Sequence, residues 1–81
     1  LVTVRLFGRL ADLAGWRERV LDEAPARLSE IMDMLGRLDA RLGEALASPG
    51  VRAAVDRVLA RGDAPVPPGA EVAFMPPMSG G

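Results

Sequence analysis

No histidine, cysteine, lysine or tyrosine occurs in this sequence of 81 residues. Without His or Cys, neither a Ser-His nor a Cys-His nucleophile pair can be assembled, and the usual zinc ligands are missing. Without lysine there is no Walker-type phosphate loop and no Schiff-base chemistry. Acid–base work would fall to carboxylates and arginine alone, so an enzyme with an active site of its own is not expected. No disulfide can form, which fits a cytoplasmic protein. No apolar run approaches the roughly 18 residues of a membrane span, and the opening residues alternate like a strand instead of forming a signal peptide.

What is present is an apolar share of 49%, enough for the small core of one domain without a metal staple. All ten basic residues are arginine, and they are interleaved with eleven acids. That balance gives no electrostatic footprint for nucleic acid or for an anionic membrane. Asp33, Asp39 and Glu44 read as solvated helix positions, since no loop pattern converges hard ligands on a cation; no metal site is expected.

Residues 2–7 alternate and predict a strand, with Val2, Val4 and Leu6 on one face and Thr3, Arg5 and Phe7 on the other. Residues 9–14 predict a short helix stopped by Gly15, and residues 16–21 a weaker second strand. Pro25 precedes the main helix, residues 27–38, with Leu28, Ile31, Leu35 and Leu38 as its apolar stripe. Met32 and Met34 flank the stripe, and Gly36 weakens the helix or helps to end it. Asp39 is placed to cap a further segment over 40–47 that carries Leu42 and Leu46. After the break at Ser48-Pro49-Gly50 come short strands at 51–55 and 58–60, a loop over 61–69, and a last strand at 71–75 ended by Pro76-Pro77. The order suggests an α+β domain, a mixed sheet of about five strands covered by one main helix.

Residues 1–75 are expected to form that domain and residues 76–81 a flexible tail. Pro76 and Pro77 favour an extended backbone, and the last five residues could project roughly 16 Å. Gly80 and Gly81 lack a Cβ, so Met78-Ser79-Gly80-Gly81 could thread a narrow channel and present the Gly81 carboxylate to another protein's reactive centre. A carboxylate can be activated as an acyl-adenylate and then accept a nucleophile.

Glu71-Val-Ala-Phe-Met-Pro-Pro-Met-Ser-Gly-Gly81 resembles the ending of the small subunit of molybdopterin synthase, a ubiquitin-like β-grasp sulfur carrier. Val4-Arg-Leu-Phe-Gly-Arg-Leu-Ala-Asp-Leu-Ala-Gly15 resembles that family's first strand and helix, and Val51-Arg-Ala-Ala-Val-Asp56 its third strand. The chain departs from the family's usual residues at Ala11 (Arg), Ala26 (a Thr-type cap), Asp56 (Asn) and Met75 (an aromatic). The resemblance implies a β-grasp fold and Gly81 as the reactive residue. An E1-like adenylating enzyme would use ATP to form a transient acyl-adenylate, and a sulfur donor would convert it to a thiocarboxylate. The tail would then enter the large subunit of a heterotetrameric synthase, a sulfurtransferase, and pass sulfur to a cyclic pyranopterin monophosphate. No permanently bound cofactor is implied.

Periodicity points to a docking face. Phe7 and Met75 fall out of phase with the core-facing residues of their strands, and Leu59 is out of phase with Val58, so one of that pair should leave the core. Phe7, Leu59 and Met75 are expected to form an exposed apolar patch near the base of the tail. Other functions remain open at this level: a carrier for thiamin or tRNA thiolation, a ubiquitin-like protein modifier, or an interaction domain whose terminus is incidental.

Overall fold

The computed structural model describes residues 1–23 and 25–77. Its elements run β1 (Val2–Leu6), α1 (Gly8–Ala14), β2 (Glu18–Leu21), α2 (Leu28–Leu38), α3 (Ala40–Leu46), β3 (Arg52–Val55), β4 (Val58–Leu59) and β5 (Glu71–Met75). The five strands form one mixed sheet in the order β2-β1-β5-β3-β4. Only the central β1–β5 pair is parallel. The first and last strands therefore lie side by side within the sheet.

The helices cover one face. Val2, Val4 and Leu6 of β1 and Val72 and Phe74 of β5 are buried against Leu10 and Ala11 of α1, Leu28, Ile31 and Leu35 of α2, and Leu42 and Leu46 of α3. The period-two pattern of β1 and β5 thus has the phase that the sequence implies. The core needs all three helices, not α2 alone.

Local signals set most boundaries. Gly15 closes α1 in the left-handed conformation at φ 84°. Asp39 caps α3, its Oδ1 accepting from Arg41 N (3.0 Å) and Leu42 N (3.3 Å). The start of α2 is different. Arg27 occupies the N-cap position and offers no side-chain acceptor. The acceptor comes from the loop before β5: Asp63 Oδ1 takes Ser29 N at 2.8 Å, and its Oδ2 takes Ser29 Oγ at 2.9 Å and Arg27 Nε at 3.0 Å. These three donors hold the Asp63 carboxyl below its ordinary value of 3.8, the Ser29 backbone N–H contributing most. The segment over 61–69 is a loop, as expected, but one anchored to the helix.

Two expectations fail. Leu38 does not share the burial of the α2 stripe and is 58% exposed. It is the last residue of the helix, the chain turns at Asp39 into α3, and Leu38 is left beside the half-buried Trp16 at the rim of the domain. Val58 and Leu59 do not divide between core and solvent; both are exposed, at 69% and 56%. β4 has only two residues at the sheet edge, and its sole partner is β3.

Candidate functional site

Among the described residues no helix lies on the second face of the sheet. Strand register places its side chains in rows. Arg5 is flanked by Glu18 on β2 and Ala73 on β5, and the same row continues through Ala54 to Leu59. Arg5 is held by two carboxylates, Nη2 to Glu18 Oε1 at 3.2 Å and Nε to Glu71 Oε2 at 2.8 Å. Next to this polar half lies an apolar one. Phe7 N–H donates to the Phe74 carbonyl (3.1 Å), extending the β1–β5 pairing by one residue and setting Phe7 beside Met75. Phe7 is 47% exposed.

Phe7 and Met75 line one open cavity of about 490 Å³ together with Gly50, Arg52, Pro76 and Pro77. The structure therefore brings these two predicted patch residues together at the end of β5. Leu59 lies on the same uncovered face but two strands from β5, beyond Ala54. The cavity it lines is a different one, walled by Leu28 and Met32 of α2, Leu46 of α3 and Phe74. The apolar strip at the end of β5 is Phe7 with Met75; Leu59 stands apart from it at the sheet edge.

Pro76 and Pro77 are half-buried where the chain leaves the sheet, and each rests on a glycine. A Cβ on Gly8 would stand 3.0 Å from Pro76 Cγ; one on Gly50 would stand 3.0 Å from Pro77 Cβ and 3.2 Å from its Cγ. Both glycines also have positive φ, 55° and 86°, a conformation that residues with a Cβ adopt reluctantly. The glycines thus supply both the turn and the room for a proline seat, which fixes the position and heading of the chain before its last four residues. Sequence reasoning missed these two glycines; their signal, glycine at the β1–α1 junction and just before β3, has no meaning until β5 is known to end between them. Met78, Ser79, Gly80 and Gly81 lie outside the described residues.

A second hairpin detail ties the sheet to this end of the chain. Asp56 and Arg57 form the two-residue β3–β4 turn with φ of 49° and 69°. Asp56 N–H donates to the Glu71 carbonyl (2.8 Å), and its Oδ1 accepts from Glu71 N (2.9 Å). Asp56 thus clasps Glu71, the first residue of β5.

A mixed sheet gripping helices on one face, with parallel first and last strands and a C-terminal segment leaving from the sheet centre, defines a ubiquitin-like β-grasp domain. The ThiS family profile matches residues 4–81. The chain belongs to the ThiS family of ubiquitin-like sulfur carriers. Among solved structures it is similar to one described as a putative molybdopterin converting factor, subunit 1, from Pyrococcus furiosus, at 26% identity, TM-score 0.79, and 95% and 97% coverage of the two chains. It also matches SAMP1 from Haloferax volcanii at 24% identity, TM-score 0.80, and 99% and 98% coverage. A second structure of that small archaeal modifier protein matches at 21% and TM-score 0.67, covering 95% of this chain and 97% of the other. The two Haloferax likenesses concern the fold alone. No curated protein matches the sequence significantly. Among the described residues, no helix is long and apolar enough to cross a membrane.

Proposed function

We propose that this chain is the sulfur carrier of molybdopterin synthesis, acting in the cytoplasm with the Gly81 carboxylate as its reactive group. The observation that carries the reading is the proline seat. β5 runs from the sheet centre into two prolines held by Gly8 and Gly50, beside the uncovered apolar strip, and Gly81 follows four residues later. A partner that docks on the strip receives the tail from a fixed origin, which removes part of the ordering cost of insertion. The Pyrococcus likeness favours the molybdopterin branch over thiamin or tRNA thiolation.

In the proposed cycle, a Gly81 carboxylate oxygen attacks the α-phosphorus of ATP on an E1-like enzyme, and pyrophosphate leaves. A sulfur nucleophile from the donor adds to the acyl carbon and AMP departs, leaving a thiocarboxylate. The tail then enters the large subunit of the synthase, where its sulfur passes to a cyclic pyranopterin monophosphate. Two turnovers furnish the two sulfurs of the dithiolene, consistent with a heterotetramer. In this reading the chain's part in these steps is that of carrier. It supplies the acyl group, its placement and chemical silence: with no lysine and no cysteine, no side-chain amine or thiol can divert the activated acyl group.

Intact-mass spectrometry after co-expression with the adenylating enzyme and a sulfur source tests this. Replacement of one oxygen by sulfur, localised to Gly81, is expected. An unchanged mass, with the enzyme active on another carrier, would refute it. A modifier would instead appear as an isopeptide adduct on other proteins.

A further inference from the structure

Arginines and acids are nearly balanced along the chain, yet around the root of the tail they are not. On one side of Pro76 and Pro77 the cavity wall is Phe7, Gly50, Met75 and Arg52. On the other, a cavity of about 320 Å³ is walled by Leu13, Val51, Ser48 and Arg9, among others. Each wall holds one guanidinium and no carboxylate. Both arginines are exposed. Among the described residues neither makes an ion pair or side-chain hydrogen bond, as holds for every arginine but Arg5, held by Glu18 and Glu71, and Arg27, held by Asp63; what sets Arg9 and Arg52 apart is their place on the two walls beside the prolines. The two prolines thus emerge between a pair of uncommitted positive charges.

We infer that Arg9 and Arg52 form an electrostatic collar that fits a carboxylate-rimmed channel mouth on the adenylating partner. The inference rests on the carrier reading above. Reach decides what the collar can meet. Gly81 is four residues beyond Pro77; a partner that takes up the tail fully extended would receive it roughly 13 Å from the root, out of reach of a guanidinium there. It stands at the level of the entrance, facing the partner's own surface. Carboxylates there would take charge-assisted, fork-shaped hydrogen bonds from arginine. They would also repel a bare anionic tail, so only a tail bearing the collar is admitted. The apolar strip cannot make that distinction, because apolar burial is not directional.

The test is ATP–pyrophosphate exchange by the E1-like enzyme of the same organism, with the carrier as varied substrate, at roughly 0.02 M and 0.5 M salt, which brackets the onset of strong screening. Carriers are wild type, R9Q, R52Q, R9Q/R52Q and R37Q, the last altering α2 away from the root; thermal melting checks that each is folded. The expected result is a KM for the double variant raised about tenfold at low salt with unchanged kcat, each single variant intermediate, and convergence with wild type at high salt. R37Q should match wild type. A double variant with wild-type KM at low salt would overturn the collar while leaving the carrier reading intact. A fall in kcat with unchanged KM would also overturn it, since the arginines would then act in the chemical step. Absence of exchange with the wild-type chain, from an enzyme active on another carrier, would overturn both.

Discussion

Gly36 of α2 and Gly43 of α3 pack backbone to backbone: a Cβ on Gly43 would lie 2.7 Å from the Gly36 Cα. The relationship is not symmetric, since a Cβ on Gly36 would meet the Gly43 Cα at 3.5 Å, an ordinary contact. This close crossing lets Leu35 of α2 and Leu42 of α3 enter the same core.

The asymmetry separates two alanine substitutions. G43A must push the helices apart and should destabilise the domain by about 1–3 kcal/mol, outweighing the gain in helix propensity. G36A meets no such obstacle and should be neutral or stabilising by up to about 1 kcal/mol. Urea unfolding of both variants checks the pair; equal losses would contradict the packing described.

The proline seat yields a second contrast. G50A combines a left-handed backbone with contact against Pro77 and should cost about 1–3 kcal/mol. G62A has similar backbone strain, φ 58°, but nothing within 4 Å of the new Cβ, and should cost less. Only G50A should also impair thiocarboxylate formation at temperatures where both variants are folded, because it moves the tail's origin. Intact-mass yields against time provide the comparison.

Asp63 makes stability depend on pH. Its folded-state pKa is lowered by Ser29 and Arg27, so its contribution is fully present above the unfolded value and is lost as pH falls through the folded one. Wild type should melt higher than D63A at neutral pH, and the gap should close below about pH 4. A gap that widened on acidification would contradict the tie. The change should spare partner binding, since Asp63 lies off the uncovered strip.

Binding to the large subunit or the adenylating enzyme should depend on Phe7 and Met75. F7D and M75D should each weaken it by about 2 kcal/mol or more, roughly thirtyfold, if these side chains anchor the interface. V58D, at the β4 edge but in register with core-facing Val55, serves as a control for general surface charge. Titration calorimetry distinguishes the cases, and normal binding by both strip variants would remove the strip as an interface.

The sequence by itself determined the local part of this protein. Period-two alternation set the buried faces of β1 and β5, Gly15 and Asp39 marked helix ends, and the absence of Cys, His and Lys removed Ser-His, Cys-His and Schiff-base chemistry. The ending through Pro76-Pro77 to Gly81 is what the proposed working group rests on. Those signals are legible because each arises within a few residues of backbone geometry or side-chain chemistry. Tertiary structure decided what depends on residues far apart in the chain: Asp63 capping a helix that begins 35 residues earlier, Gly8 and Gly50 seating the prolines, and Gly36 meeting Gly43. It also exposed Leu38 and Val58, whose periodic positions imply burial but whose places at a helix end and a sheet edge leave nothing to cover them. Periodicity reports which face a residue occupies; only the fold determines what, if anything, lies against that face.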